Sequence, residues 1–252
     1  MTETIVFLDT EFTNCDIPAL ISLGLVSEKG EELYIEISDT WYLAQCSLFV
    51  IGQVLPWMNG GAAEKTLRGK LGELFELIPW LTAESWDERR RLLEGKPLQD
   101  AIVHELELAV RWESETGFAD LRAGDVPRVK QAMSELTPQT LLEGDDGSPA
   151  RSAAAELGIW LSGEGRTTLV ADSPIDFQLI RALLEQAGSI SGNIDFRLLP
   201  DLKPSADANE RRKVQQVRES NYARGGRRHH ALDDARTLAS WWKAARELDL
   251  LP

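Results

Sequence analysis

Residues 4–8 (TIVFL) form an apolar, β-branched run, the pattern of a buried strand. The stretch PALISLGLVSEKGEELYIEIS predicts a hairpin: a strand near residues 17–27, a turn at Lys29 and Gly30, and a strand near residues 32–38. Strands joined this closely form an antiparallel meander. From residue 41 to about residue 142 the spacing is mostly helical. Leu67, Leu71, Leu74, Ile78 and Leu81 follow one helical stripe. Ser85 with Glu88 reads as a capping box. Asp125 followed by Pro127 opens a further helix, with Val126, Val129, Met133 and Leu136 on one face. EGDDGSP, residues 143–149, is a loop or linker, and beyond it helix and strand alternate. A helix near residues 152–161 precedes a strand at 166–171; Asp172, Ser173 and Pro174 cap a helix running to about residue 187. NIDFRLL is another strand, and residues 231–248 form a closing helix packed through Leu238, Trp241 and Trp242. The pattern predicts an α/β fold interrupted by a long helical insertion.

Composition narrows this little. With 252 residues, 43% of them hydrophobic, the chain can build one substantial core, and no apolar run reaches the roughly 20 residues that span a bilayer. The start, MTETIVFLD, does not read as a signal peptide, and Cys15 and Cys46 offer neither a disulfide framework nor zinc-site spacing. Together these predict a cytoplasmic protein without a membrane partner. The net charge of −14 argues against a general polyanion-binding surface. The charge is uneven, however: residues 203–228 hold 8 basic and 3 acidic side chains, and residues 60–150 hold 11 basic and 18 acidic. Screening beyond about 8 Å lets a locally basic segment serve a phosphate despite the overall sign. The segment 211–228, RRKVQQVRESNYARGGRR, is expected to be mobile and to guide substrate through Arg211, Arg212 and Lys213; a solvated connector is the alternative.

The candidate chemistry lies in the acids. FLDTEFT places Asp9 and Glu11 at the end of the first strand, on one face by alternation. Asp176 falls in the first turn of a helix, and HHALDDA brings His229, Asp233 and Asp234 to the start of another. Strand ends and helix N-termini on one side of a sheet are where α/β folds gather functional groups. Carboxylates gathered there need cations, and oxygen ligands suit Mg²⁺ or Mn²⁺. Taken singly, each residue has a plainer explanation. Asp176, Asp233 and Asp234 could be first-turn acids favoured by the helix dipole, Asp172 and Ser173 N-caps, and His230 an ordinary surface histidine. The order of the set favours the site.

With these motifs the sequence resembles the DEDDh branch of 3′→5′ exonucleases, closest in look to small bacterial exoribonucleases. FLDTEFT looks like the first motif, VADSPIDFQLI like the second with Asp176 as its aspartate, and HHALDDAR like the third, which fits His229 with Asp234. The likeness covers about residues 1–58 and 150–248. It implies a ribonuclease H-like fold: a mixed five-stranded sheet flanked by helices, with a core of residues 1–58 and 150–252 and an insertion at about 59–149, all in a single exonuclease domain. It also implies two divalent ions held by Asp9, Glu11, Asp176 and Asp234, with Asp9 shared, and His229 as general base. Thr10, Phe12 and Asp172 would contact substrate, with Phe12 stacking on the terminal base or simply packing in the core. Asp172 departs from the family, which often carries Asn there, and the insertion is longer than a minimal member needs. The implied partner is single-stranded nucleic acid, RNA before DNA, with release of nucleoside 5′-monophosphates, and a homodimer is implied too. The rivals are a DNA-directed exonuclease and a catalytically idle member that binds nucleic acid or protein.

Overall fold

The computed structural model describes residues 3–58, 148–162, 165–186, 188 and 193–251. The Leu67–Leu81 stripe, the Ser85 and Asp125 helix starts and most of the 143–149 loop therefore lie outside the described residues. Five strands form one sheet in the order β3-β2-β1-β4-β5: β1 Glu3–Phe12, β2 Leu20–Ser27, β3 Glu32–Glu36, β4 Arg166–Ala171 and β5 Ile194–Leu198. β2 and β3 pair antiparallel, while β1 with β4 and β4 with β5 pair parallel. The fold is thus α/β with a mixed sheet. The helices are α1 Leu48–Gln53, α2 Ala150–Leu161, α3 Pro174–Gln186, α4 Ala208–Ala223 and α5 Ala231–Glu247, numbered among the described residues. Parallel neighbours need a crossover, and α3 supplies it between β4 and β5.

The chain divides into two compact units, one of Met1–Glu11, Leu20–Ile37 and Ser148–Pro252, the other of Phe12–Ala19 and Ser38–Gly147. In the first, β2 is buried along its whole length and β4 everywhere except Arg166. Phe7, Val170 and Leu238 form a core cluster, extended by Trp242, whose ring lies 5.9 Å from that of Phe7. In the second, Asn14 accepts from the amides of Asp16 and Ile17 at 2.9 and 2.8 Å, which fixes a bend before β2. That bend delays β2 to Leu20, past the expected start near residue 17. Ser47 caps α1 by accepting from the Val50 amide, and Trp41, Cys46, Leu55 and Met58 are buried.

The basic stretch is a helix, contrary to the expectation of a mobile segment. Asp207 and Glu210 close a capping box at the start of α4. At its end the amides of Gly225 and Gly226 reach the carbonyls of Tyr222 and Asn221, with Gly225 left-handed at φ 105°. Val214 anchors the helix in a cluster with Ala206, Ala245 and Leu250. One fully buried side chain in sixteen residues gives almost no periodic signal, so a helix this polar reads as a loop.

Candidate metal centre

Phe7 and Val170 form the last rung between β1 and β4. Two residues further along each strand stand Asp9 and Asp172, so the register brings them to one edge. Glu11 follows on the Asp9 face. Asp176 lies in the first turn of α3 and Asp234 in the first turn of α5. Oxygen atoms of Asp9, Asp172 and Asp176 lie within 4.8 Å of one another; so do ligand atoms of Glu11, His229 and Asp234. A cleft of about 400 Å³ opens beside them, lined among others by Asp9, Asp172, Arg218, Tyr222, Arg228, His229 and Asp234.

These acids are poorly placed as a metal-free set. Burial pushes the Asp9 carboxyl well above the usual range, and Glu11, Asp234, Asp176 and Asp172 push it further. Glu11 is raised likewise, first by burial and then by Asp234 and Asp176. Asp234 is raised by burial although Tyr222 and His229 pull it down. Asp176 is driven up to about 6, mainly by burial, against a hydrogen bond from Thr10. Among the described residues its buried Oδ2 atom has no hydrogen-bond partner, while Oδ1 accepts from the Thr10 hydroxyl at 2.5 Å. Buried polar atoms are rarely left unpaired. Cations bound by these oxygens would relieve both the repulsion and the orphaned oxygen, so the residues fit metal ions.

Asp234 is gripped on both oxygens, by the Tyr222 hydroxyl on Oδ1 and the His229 amide on Oδ2 at 2.9 Å. His229 itself is left-handed at φ 59°. A non-glycine residue there costs about 1–3 kcal/mol, which the bond from its amide to Asp234 helps to offset. Behind it Asp233 accepts from Arg227 Nε at 2.8 Å and Arg236 Nη1 at 2.7 Å, and Arg236 also clamps Glu32 through two bonds. Burial pushes the Asp233 carboxyl up, but hydrogen bonds from the Arg227 side chain and amide hold it below the ordinary value. Asp233 therefore braces the turn while Asp234 faces the cleft.

His230 is not the surface histidine expected. It is 4% exposed, its ring stacks 4.5 Å from Tyr34, and its Nδ1 lies 3.3 Å from Arg227 Nη2. Burial and that guanidinium depress it to about 4, so it is neutral. A histidine's burial follows from its tertiary neighbours, here β3, which the local sequence does not show.

The structure brings together Asp9, Glu11, Asp172, Asp176, His229 and Asp234. Ser173, and not Asp172, accepts from the Ile175 amide at the start of α3, so Asp172 is free to face the cleft. Thr10 is buried and positions Asp176. Phe12 ends β1, half-buried, in the second unit. Arg211 folds back on the carbonyls of Ala206 and Lys203, and neither Arg212 nor Lys213 lines the cleft. Among the described residues the cleft cations are instead Arg218 and Arg228, the latter 5.0 Å over the Tyr222 ring. Sequence reasoning missed Arg218, Tyr222 and Arg228. Arg218 and Tyr222 lie four residues apart on one face of α4, a signal that can be used only once that polar segment is known to be a helix, and Arg228 lies beyond its end.

No protein-family model matches the chain, and no curated protein matches it either. Among the described residues no helix is long and apolar enough to cross a membrane.

Proposed function

We propose that this protein is a metal-dependent 3′→5′ exonuclease of the DEDDh type, built on a ribonuclease H-like fold. It would release nucleoside 5′-monophosphates from single-stranded nucleic acid, with RNA preferred. The observation that carries the reading is the pair of adjoining acid groups around Asp9, with Asp176 Oδ2 orphaned and His229 beside Asp234. Asp9 is raised by Glu11, Asp234, Asp176 and Asp172 together, so it feels both groups and is the carboxylate to be shared. Glu11 and Asp234 would hold one ion, and Asp176 the other. Two such ions, when bound, neutralise charge on the attacking and leaving oxygens of a phosphodiester. The chain supplies the rest. His229, fixed in its turn by the Asp234 carboxylate, takes the proton from the attacking water. Tyr222 keeps Asp234 oriented, and α4 supplies a wall of the cleft that would face the substrate.

The preference for RNA and the homodimer rest on the resemblance alone, and the cytoplasmic location on composition. Single-stranded RNA and DNA of one sequence, each with Mn²⁺ or with EDTA, test the reading. Monophosphates should appear only with the ion, and faster from RNA. Release from DNA alone would make this a DNA-directed exonuclease; no release from either would make it a binding member of the fold.

A further inference from the structure

Asp172 and Arg218 face each other across the cleft, with Arg218 Nη2 3.4 Å from Asp172 Oδ2. The first turn of α3 is already capped by Ser173, so Asp172 is not needed there. Its carboxylate groups with Asp9 and Asp176, and Asp176 offers that group a buried, unpartnered oxygen. Arg218 meets this concentration of negative charge from α4 and also lines the cleft. Both members of the pair are partly exposed, at 42% and 38%. An exposed pair held through a single long contact is weak and readily exchanged. A divalent cation on the same carboxylates would compete with a guanidinium for Asp172, because both are positive and both need its oxygens.

We infer that Arg218 is an exchangeable counter-ion: it balances Asp172 while the Asp9–Asp172–Asp176 site lacks its ion, and passes to a substrate phosphate when the ion binds. The inference rests on the reading of the cleft as a metal centre acting on phosphodiesters. It makes ion binding and phosphate binding positively coupled through one side chain. A guanidinium pairs well with phosphate oxygens, so the released Arg218 has a new partner of matching geometry. Arg228 stays over Tyr222 and offers a second cation on the same wall.

The test is calorimetric titration of the full chain with MnCl₂, followed by adenosine 5′-monophosphate at saturating Mn²⁺. Wild type should bind two ions, and Asp172→Asn should weaken only the weaker one. Arg218→Gln should bind that weaker ion about 2–5-fold tighter, the range of an exposed pair removed. The same variant should bind the monophosphate about tenfold more weakly, as for a lost charge-assisted hydrogen bond. Both changes are required. If wild type binds two ions and Arg218→Gln lacks either change, the exchange is wrong while the metal centre stands. If only one ion binds and Asp172→Asn leaves it unchanged, the exchange is wrong too. If wild type binds no Mn²⁺, the metal reading itself falls.

Discussion

His229 and His230 are adjacent in sequence and opposite in environment: one is left-handed at the cleft, the other neutral and buried against Tyr34. His229→Ala should lose about 10²–10⁴-fold in turnover yet keep its thermal shift with Mn²⁺. His230→Ala should lose about 1–3 kcal/mol of stability, because it empties a stacked site and strips a partner from Arg227. Turnover and denaturation midpoints of the two variants check both; reversed phenotypes would put the motif out of register. Asp176 makes a pH prediction. Its folded value of about 6 lies above the ordinary 3.8, so the folded state holds the proton more tightly. That contribution is fully present below about 3.8 and is lost as pH rises through about 6. In EDTA, Asp176→Asn should therefore gain on wild type as pH rises from about 4 to about 6, and the gap should level above it. Urea midpoints across that range measure it, and a gap independent of pH would contradict the placement. Single residues were the hardest to read from the sequence. Asp9, Glu11, Asp176 and Asp234 followed from motif order, but Asp172 looked like a cap because any acid before a helix does.

The elements were legible where burial is periodic. β4 and α5 appear within about one residue of their expected bounds because each presents a continuous apolar face. α4 was hidden because its fixing interactions are a capping box, a glycine turn and one buried valine. A different device seats α5. A Cβ on Gly24 would lie 2.3 Å from the Leu232 amide nitrogen and 2.4 Å from the Ala231 carbonyl carbon, both backbone atoms that cannot swing aside. Gly24 thus lets the start of α5, and with it Asp234, lie directly on β2. Gly24→Ala should displace that helix start, with a stability loss of about 2 kcal/mol or more and a larger proportional loss of Mn²⁺-induced stabilisation. Thermal melts with and without Mn²⁺ would show it, and a variant indistinguishable from wild type would contradict the close contact.

For the molecule as a whole, the first three strands and the later return of strand and helix were legible in the pattern, and a mixed five-stranded sheet was implied by the resemblance. The order β3-β2-β1-β4-β5 depends on pairing between distant segments, which no local pattern shows. The role of the insertion did not follow, since it contributes none of the motifs, and it lies mostly outside the described residues. Every proposed ligand lies elsewhere: in the unit of Met1–Glu11, Leu20–Ile37 and Ser148–Pro252. Replacing residues 60–147 by a short flexible linker should therefore keep Mn²⁺-induced stabilisation and cleavage of a dinucleotide, while substrate length preference or oligomeric state changes. A folded variant that loses both would make the insertion part of the centre. The central claim, ion-dependent removal of nucleotides from a 3′ end, is met most directly by digesting a 5′-labelled single-stranded RNA. With Mn²⁺, wild type should give a ladder shortening from the 3′ end, with 5′-monophosphates released from the first cycle; EDTA or Asp9→Ala should abolish it. Internal cuts, a ladder from the 5′ end, or equal activity in Asp9→Ala would contradict the account.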